Sequence, residues 1–452
     1  MKKQTRREWL TTTAALTTAA LAVPVFIPRT VFAQGNRPGA NDRLGVAGIG
    51  VGRQGAPVLA NILRDRRTVA ICVCDVWKKR AGEVAAKYNL SPEHAYQDYR
   101  KVIERKDVDA IMTATPEHWR APICVPAALA GKHLYVEKPI TLTIDDGKRM
   151  RAAARKTGIV FQCGSMQRSM VPNYLGGKFI REGNLGKITE VISANYESPW
   201  LDAMPGEAVP EGLDWDMWCG PAKSVPFNQQ LFVPRGNPGW LSFRPYSGGE
   251  MTGWGTHGFD EIQNALGMDD TGPVEILVDG QKLEPPTYDK VESKNRGDAL
   301  CNTPRLAFKY ANGIVVRLGV FENKDGQLVK TAEGNRGGGI FIGEKGRVEI
   351  FRNRVTSNPK ELVEEYLKEH AGQRLASHET DWINCIYDGK KPIGDLETGL
   401  RTAGICHILS IARYVGRNLK WDPVKEEFIG DAEANTWLKR EQRKGFETPV
   451  VG

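Results

Sequence analysis

The chain has 452 residues, of which 41% are hydrophobic and 26% are charged, and its formal net charge is +8 at pH 7. This length and composition allow a large buried core and predict two domains. The sequence contains no basic run interleaved with aromatic residues, which argues against a nucleic-acid partner.

The amino-terminal segment has the pattern of an export signal. Two adjacent arginines, Arg6 and Arg7, precede an apolar, threonine-rich stretch over residues 11–27, and small residues mark a cleavage-type site that ends at Ala33. This pattern resembles a twin-arginine signal, so we expect recognition by the twin-arginine export machinery, cleavage after Ala33 and a periplasmic or otherwise exported protein. An uncleaved membrane anchor is the alternative, but the apolar stretch is short and Pro24 interrupts it.

The first predicted element of the folded part is a short apolar strand over Arg43–Ile49, which leads directly into a glycine-rich turn and a helix over Ala56–Arg64. The turn consists of Gly50, Val51, Gly52, Arg53, Gln54 and Gly55. Its first glycine permits a tight turn, the second lets the main chain approach a pyrophosphate, and the third lets the helix pack on the strand. Because free N–H groups at the helix start face the anion, this turn predicts a dinucleotide site.

The second strand supplies the acidic residue that such a site needs. The apolar run Thr68–Cys74 ends in Asp75, about 20 residues beyond the glycines. A carboxylate here accepts hydrogen bonds from both ribose hydroxyls and repels a 2′-phosphate, which favours NAD. Lys78, Lys79 and Arg80 follow closely, so NADP is not excluded.

Helices and strands then alternate up to residue 164. Helices are predicted at Lys78–Tyr88, Tyr99–Arg105, Ala121–Ala130 and Ile144–Thr157, and strands at Ala110–Ala114, His133–Val136 and Val160–Gly164. This alternation predicts a doubly wound parallel sheet. One of these strands runs into Glu137, Lys138 and Pro139, at the carboxyl edge where such sheets bind ligands. We interpret this segment as a chemical site; a surface ion pair between Glu137 and Lys138 is the alternative.

The later part of the chain has longer strands whose residues alternate between two faces. Strands are predicted at Ile188–Tyr196, Val274–Val278, Arg305–Tyr310, Ile314–Glu322, Gly339–Gly343 and Arg347–Arg352, and helices at Glu379–Asp388 and Leu396–Gly416. The predicted fold class is α/β, with a Rossmann-type doubly wound parallel sheet followed by an α+β domain that has a large, mostly antiparallel open sheet. The predicted division is a signal over 1–33, a nucleotide domain over 34–165, a substrate domain over 166–425 and a polar tail over 426–452.

Several motifs together resemble the glucose-fructose oxidoreductase, inositol dehydrogenase and MocA family (Gfo/Idh/MocA). They are the Gly50-Gly52-Gly55 turn, the segment Ala114–Trp119, the segment Ala130–Lys132 running into Glu137–Pro139, the segment Gln162–Arg168, and the segment Gly253–Asp260. The resemblance implies a nicotinamide cofactor at the cleft, sugars or other polyols as substrates, and a homo-oligomer of undetermined size. It places Lys138 and His257 at the catalytic, substrate-facing positions. It assigns Thr115, Pro116 and His118 to the family's cofactor loop, and we expect Glu137 and Lys138 to contact the cofactor as well.

One departure from the family pattern bears on the chemistry. The family's dehydrogenases commonly carry an aspartate four residues before the histidine, where this chain has Gly253. We therefore expect Lys138 and His257 to share the proton transfer, with Glu250, Tyr196 and Tyr246 as weaker stand-ins for the aspartate. The candidates for substrate contact are Arg168, Tyr196, Tyr246, Glu250, Trp254 and Asp260. His257 and His118 each have a structural histidine as the alternative interpretation. For Asp260, the alternative interpretation is that its carboxylate orients a neighbouring residue.

Metal chemistry and a disulfide framework are both unsupported. The seven histidines form no HxxxH or HExxH spacing, and no CxxC motif occurs among the eight cysteines. We therefore expect no metal site and eight small buried thiols. The tryptophans around Trp215 and Trp218 are interpreted as core residues, with sugar stacking as the alternative.

The predicted function is oxidation of a sugar or polyol derivative by hydride transfer at a carbinol carbon to NAD(P). Because an exported protein has no pool of soluble NAD to exchange with, we expect the cofactor to be tightly bound and recycled in place. One alternative is an NAD-dependent glycoside hydrolase or lyase that works by transient oxidation, elimination, hydration and re-reduction. A sugar-binding protein without turnover is a further alternative. Substrate identity and oligomeric state are left open.

Overall fold

A computed structural model describes residues 43–233, 238–293, 300–319 and 337–452. The predicted export signal lies outside these ranges. The strands are β1 Leu44–Ile49, β2 Thr68–Cys74, β3 Ala95–Tyr96, β4 Ala110–Thr113, β5 His133–Val136, β6 Phe161–Cys163, β7 Ile188–Ser193, β8 Leu201–Asp202, β9 Glu275–Asp279, β10 Thr287–Tyr288, β11 Arg305–Lys309, β12 Val315–Leu318, β13 Gly339–Gly343, β14 Gly346–Phe351, β15 Arg354–Asn358, β16 Leu419–Asp422 and β17 Glu427–Phe428.

The α-helices follow the same chain order. They are α1 Gly55–Ile62, α2 Lys78–Lys87, α3 Tyr99–Ile103, α4 Arg120–Leu129, α5 Ile144–Thr157, α6 Val171–Arg181, α7 Trp215–Cys219, α8 Gln229–Phe232, α9 Glu250–Gly253, α10 Gly255–Leu266, α11 Glu361–Glu369, α12 His378–Asp388, α13 Leu396–Val415 and α14 Ala432–Thr436. In the described ranges, none of these helices combines the length and the apolar character required to cross a membrane.

The first sheet has six parallel strands in the order β3-β2-β1-β4-β5-β6. This arrangement confirms the predicted doubly wound sheet. The strand order reverses between β1 and β4, and Ile49 at the end of β1 lies level with both Cys74 and Thr113. Ligands of doubly wound sheets bind at the carboxyl ends of the strands beside such a reversal, so the glycine turn after β1 lies at the expected position.

The second sheet has nine strands in the order β15-β14-β13-β7-β12-β11-β9-β16-β17. The β7–β12 pair is parallel and the other pairs are antiparallel, which confirms the predicted large, mostly antiparallel sheet. The helices α6 and α10 pack against its strands through a core that includes Phe259, Ile262, Phe308 and Phe341. Helix α10 also carries the histidine of the candidate site, so the sheet supports that residue rigidly.

The carboxyl-terminal part of the chain also covers the first sheet. Trp382 of α12 makes an edge contact with Tyr135 of β5, with 5.7 Å between the ring centroids. Leu400 of α13 packs in the same core as β5 and β6. Beyond residue 426, Phe446 makes an edge contact with Trp119, and Thr448 is buried. Residues that the sequence assigns to the substrate domain and to the polar tail therefore also pack against the core of the first sheet. The predicted domain boundaries stay a prediction.

Candidate active site

A cleft of about 390 Å³ lies where the carboxyl ends of β1, β2, β4 and β5 face the second part of the chain. Many residues that the sequence predicts for the site line it. They are Gly50, Gly52, Arg53, Gln54, Asp75, Thr115, Pro116, Glu137, Lys138, Trp254 and His257. The structure therefore brings the predicted cofactor turn and both predicted catalytic residues to one cleft.

The glycine turn has the geometry of a dinucleotide cradle. Gly50 has a φ of +73°, and a Cβ atom there would lie 2.8 Å from Cγ2 of Thr115. A Cβ on Gly55 would lie 2.0 Å from the carbonyl oxygen of Gly50, so a side chain is excluded at both positions. By contrast, a Cβ on Gly52 would meet nothing closer than Arg80, at 3.5 Å. The main chain at Gly52 is open to a ligand, and these residues fit the pyrophosphate of NAD.

Asp75 is buried at the end of β2 and lines the cleft. Its Oδ1 accepts a hydrogen bond from the main-chain N–H of Trp77 at 3.0 Å and lies 3.3 Å from Nη1 of Arg80. Burial raises the pKa of the Asp75 carboxyl, while Arg80 opposes that shift. The carboxylate is positioned for ribose hydroxyls, and the adjacent arginine reduces its repulsion of a 2′-phosphate.

A segment from the second part of the chain lines the cleft beside Asp75, and we call residues 211–232 the facing segment. It is joined to the loop after β2 by two main-chain hydrogen bonds, Lys78 N–H to Gly212 O and Asp214 N–H to Val76 O, both 2.9 Å. The indole N–H of Trp77 also donates to the carbonyl of Glu211 at 3.2 Å. These contacts hold the facing segment beside Asp75.

Aromatic side chains of the facing segment reach the cleft. Trp218 and Phe232 line it, whereas Trp215 stacks on Trp218 with ring centroids 4.4 Å apart. The guanidinium of Arg80 lies 5.2 Å from the ring centroids of both Trp77 and Phe232. Trp218 therefore has two roles. Neighbouring side chains bury one face of its indole in the core, and the residue also forms part of the cleft wall.

The segment after β4 divides into a cleft-facing part and a buried part. Thr115 and Pro116 line the cleft. His118 does not; its Nε2 lies 3.0 Å from the carbonyl oxygen of Trp218, and burial lowers the pKa of its imidazole to about 4. His118 is a neutral structural residue that binds the facing segment, so the assignment of this histidine to the cofactor site is not supported by its position.

Glu117, between these residues, joins the cofactor loop to the segment that leads into α9. Its carboxylate accepts hydrogen bonds from the hydroxyls of Ser247 and Thr252 and from the N–H of Gly248. Burial raises the pKa of the Glu117 carboxyl to about 7, and these hydrogen bonds oppose the shift. A buried carboxylate with four acceptor contacts fixes the two segments relative to each other.

The Glu137–Lys138 pair is held from both sides of the cleft. Oε1 of Glu137 accepts a hydrogen bond from Nε2 of Gln54 at 3.1 Å, which connects it to the glycine turn. The buried Arg120 donates to the main-chain carbonyls of Thr115 and Glu137. Nζ of Lys138 donates to the carbonyl oxygen of Gly253 at 2.9 Å. The amine therefore points across the cleft and not along a surface turn.

His257 lies in the first turn of α10 and is buried apart from the surface that lines the cleft. Its ring centroid is 5.6 Å from that of Trp254, which also lines the cleft. The main-chain N–H of His257 donates to the carbonyl of Trp254 at 2.9 Å. Lys138 and His257 thus reach the same space from different parts of the chain, which suits a pair that handles one substrate hydroxyl.

Arg168 and Asp260 lie in the interior and do not line the cleft. Nε of Arg168 lies 2.9 Å from Oδ2 of Asp260, and its Nη2 lies 2.8 Å from Oδ1 of Asp269. This buried ion cluster joins the 3-10 helix Met166–Ser169 to α10. Both residues therefore position the helix that carries His257, and direct substrate contact is not supported.

The three stand-ins for the missing aspartate also do not line the cleft. Tyr196 is buried against Phe259, with ring centroids 5.5 Å apart. Tyr246 is buried against His118 and Trp218. Glu250 begins α9, one turn before Gly253. Lys138 instead donates to a main-chain carbonyl of this segment, that of Gly253.

Sequence reasoning missed several cleft residues. They are Gln97, Tyr99, Trp119, Arg120, Met166, Met217, Phe232, Trp240, Leu241 and Arg352. Most come from loops or from the second part of the chain, where no periodicity marks a ligand-facing position. Arg352, in the hairpin between β14 and β15, has no local signal at all. All eight cysteines are buried free thiols, and the described residues contain no group of three or more suited to a metal ion.

Two protein-family models match the two parts of the chain that form this cleft. The model described as "Oxidoreductase family, NAD-binding Rossmann fold" (GFO_IDH_MocA) matches residues 44–165, and the model described as "Oxidoreductase family, C-terminal alpha/beta domain" (GFO_IDH_MocA_C2) matches residues 185–448. The chain belongs to the Gfo/Idh/MocA oxidoreductase family. The match confirms the predicted family and the predicted NAD-binding domain, within which the glycine turn and Asp75 lie.

Curated proteins with assigned activities resemble this chain over limited lengths. The scyllo-inositol 2-dehydrogenase (NAD(+)) of Bacillus subtilis is 27% identical over 228 residues, which are 50% of this chain and 58% of that protein. The levoglucosan dehydrogenase of Pseudarthrobacter phenanthrenivorans is 34% identical over 120 residues, 26% of this chain and 30% of that protein. The chain thus spans less than two thirds of the length of these curated relatives.

Solved structures share the fold over most of the chain. The aldose-aldose oxidoreductase from Caulobacter crescentus has a TM-score of 0.56 at 18% identity, and the aligned region covers 84% of this chain and 99% of that chain. The WlbA dehydrogenase from Bordetella pertussis, solved with NADH and UDP-GlcNAcA, has a TM-score of 0.57 at 16% identity, with the same two coverages. At these identities the likeness establishes the common fold.

Proposed function

We propose that this protein is an NAD-dependent oxidoreductase that acts on a sugar or polyol derivative at a carbinol carbon. The observation that carries the proposal is that Lys138 and His257 line the same cleft as the dinucleotide turn. When bound, the nicotinamide ring supplies a hydride acceptor. The inositol and levoglucosan dehydrogenases among its relatives support a cyclic polyol or sugar as the substrate class.

The roles of the two residues follow from their surroundings. Loss of hydride leaves positive character on the substrate carbon unless the hydroxyl proton departs in step, so a nearby base is required. Lys138 takes this proton while its other N–H groups keep a contact such as that with the carbonyl of Gly253. His257 holds the hydroxyl and passes the proton outward. Trp254, packed against the imidazole, limits the orientation of the ring.

We further propose that the cofactor is retained and recycled in place. The facing segment supports this, because it is hydrogen-bonded to the loop after β2 and contributes Trp218 and Phe232 to the cleft wall. A nucleotide held there leaves only when these contacts open. NAD is the proposed cofactor. NADP is the alternative, because Arg80 lies beside Asp75 and reduces the repulsion between that carboxylate and a 2′-phosphate.

Redox-assisted glycoside cleavage is the second candidate. Gly253 favours it, since no carboxylate side chain is available at the position where the family's dehydrogenases commonly carry one. In such a cycle the substrate is oxidised, loses its aglycone by elimination, adds water and is reduced again, so the enzyme needs no external acceptor. A binding protein without turnover is disfavoured because both proton-handling side chains line the cleft.

Product analysis separates these candidates. The purified protein, with its retained nucleotide, is incubated with a panel of free cyclic polyols, aldoses and aryl glycosides, and products are identified by mass spectrometry and nicotinamide absorbance. Ketose formation with nicotinamide reduction supports the oxidoreductase. Aglycone release without net reduction supports glycoside cleavage. Protein that binds sugars and yields neither product contradicts both proposals.

A further inference from the structure

Two adjoining cavities lie outside the active-site cleft, with volumes of about 210 and 310 Å³. They share a wall made by the segment before helix α5, by Arg244 and by the carboxyl-terminal segment. The residues that line both are Leu142, Thr143, Arg244, Lys439, Arg440 and Glu441. None of these residues lines the active-site cleft. We call the two spaces the paired cavities.

Positive charge exceeds negative charge around the paired cavities. The basic residues are Arg149, Lys223, Arg244, Lys439 and Arg440, and the acidic residues are Asp145, Asp146 and Glu441. Arg149 forms an ion pair with Asp145 at 2.8 Å, so these two charges cancel. Four cations then remain against two carboxylates. Burial raises the pKa of the Asp146 carboxyl to about 6, and Arg149 and Arg440 oppose that shift.

Arg244 and Arg440 are the central pair of this site, and both are partly buried. Within the described residues, neither guanidinium forms an ion pair with a carboxylate. Arg440 donates to the main-chain carbonyl of Arg244, and the Arg244 guanidinium lies 4.9 Å from the ring centroid of Trp437. Burial, followed by the neighbouring Arg244, lowers the pKa of Arg440 to about 10, while Glu117 and Asp146 oppose that shift from beyond ion-pair distance. Two adjacent, partly buried cations without a directly paired carboxylate are costly, and an anion would offset that cost.

Two residues that line the larger cavity, Ser410 and Arg244, also carry buried polar atoms without a partner among the described residues. Ser410 is 9% exposed, and its Oγ has no hydrogen-bond partner in that part of the chain. The Nε of Arg244 is likewise buried and has no partner within those residues. Buried polar atoms are normally hydrogen-bonded, so each of these atoms indicates a missing partner. The Arg244 Nε–H can only donate and the Ser410 hydroxyl can donate, so a ligand rich in oxygen acceptors would satisfy both.

We propose that the paired cavities bind a small organic anion through its carboxylate or phosphate oxygens, held by Arg244, Arg440 and Lys439. The larger cavity has room for a ligand of sugar-acid or sugar-phosphate size. Planar guanidinium groups bind such oxyanions through paired N–H donors. Tyr414 and Trp437, which stack with ring centroids 5.2 Å apart, form an apolar wall for the carbon skeleton.

The test is isothermal titration calorimetry of the full-length protein with inorganic phosphate and with citrate as probes. We expect saturable binding of at least one probe with one site per chain. Arg440→Gln and Arg244→Gln should each weaken that binding about tenfold, since each removes a charge-assisted hydrogen-bond donor. The control is Lys360→Gln, which removes an exposed lysine immediately before α11 that lines neither of the paired cavities. It should leave the affinity unchanged.

Lys439→Gln keeps the test decisive if either arginine variant fails to fold, because Lys439 is exposed and its loss removes no buried contact. We expect it to weaken binding about threefold. Absence of saturable binding with both probes would overturn the proposal. Binding that is equally weakened in Lys439→Gln and in the Lys360→Gln control would overturn it as well, since net charge alone would then account for the effect.

Discussion

Nζ of Lys138 lies 2.9 Å from the main-chain carbonyl oxygen of Gly253. This hydrogen bond joins the carboxyl end of β5 to the end of α9, and it uses the residue at which a family aspartate is commonly found. A neutral carbonyl holds an ammonium group less strongly than a carboxylate does. The proposed proton carrier is therefore oriented across the cleft by a neutral main-chain acceptor.

Replacement of this amine tests its proposed role directly. Lys138→Met retains the length and apolar stem of the side chain but removes the proton carrier. We expect turnover of the best substrate in the product panel to fall by about 10²- to 10⁴-fold, the usual contribution of a general base. Bound nucleotide, measured by absorbance after gel filtration, should remain. The exposed Lys156→Met is the control, and equal turnover in the two variants would contradict the role.

The facing segment predicts slow nucleotide release. Trp77 binds this segment through Glu211 and Phe232 but does not itself line the cleft, so its substitution tests retention without altering the cleft wall. We expect Trp77→Ala to release NADH about tenfold faster, because it loses one hydrogen bond and an aromatic contact. Trp77→Phe keeps the ring contact and should lie between wild type and Trp77→Ala. Release is measured by stopped-flow fluorescence with excess NAD as competitor; identical rates in all three proteins would refute the prediction.

The pair Asp75 and Arg80 predicts cofactor preference. Asp75→Asn removes the charge that accepts ribose hydroxyls and repels a 2′-phosphate, so NADH affinity should fall about tenfold and the preference over NADPH should narrow. Arg80→Gln should widen the preference because it removes the cation nearest to Asp75. Fluorescence titrations with both reduced nucleotides measure these ratios. The exposed Lys87→Gln serves as control, and a ratio unchanged in all variants would count against this site.

Glu117 predicts a pH-dependent stability. Burial raises its folded-state pKa from 4.5 to about 7, so between these values the folded protein holds the proton more tightly than the unfolded chain. The free energy of unfolding therefore falls as pH rises through this window, by up to about 3 kcal/mol from this group. Glu117→Gln removes the titration, so its stability relative to wild type should increase from about pH 5 to about pH 8.

Urea denaturation at both pH values measures this difference. The exposed Glu83→Gln should follow the wild-type profile. A Glu117→Gln offset that is the same at both pH values would show that the carboxyl does not titrate in that window. Other buried acids, such as Glu261, contribute the same sign, and the comparison between variant and wild type removes their effect.

Export is predicted from the first residues alone and is tested in cells. Substitution of both Arg6 and Arg7 by lysine removes the arginine pair that the twin-arginine machinery recognises, so the protein should remain in the cytoplasm. Fractionation followed by immunoblotting measures the distribution. Substitution of Lys2 and Lys3 by arginine keeps the positive charge and should leave export intact. Continued export of the double-lysine variant would exclude this route.

The local signals of the first sheet were sufficient to predict the cofactor site. Gly50, Gly52 and Gly55 lie between a strand and a helix, and Asp75 ends the next strand, so short-range periodicity determined their positions. The second sheet was predicted in type but not in full. Strand β15 lies at the edge of the sheet and has exposed, polar residues at alternate positions. Its sequence therefore has no apolar pattern from which a strand could be predicted.

The sequence by itself determined the two-sheet fold class, the family, the dinucleotide turn and the candidate pair Lys138 and His257. These depend on neighbours in the chain, on repeated side-chain alternation and on motif order. Only the tertiary structure decided which polar residues reach the cleft. His118 is turned inward by a carbonyl about 100 residues away, and Arg168 is neutralised by acids more than 90 residues away. Burial of a polar group depends on the partner that a distant segment supplies, and no local pattern contains that information.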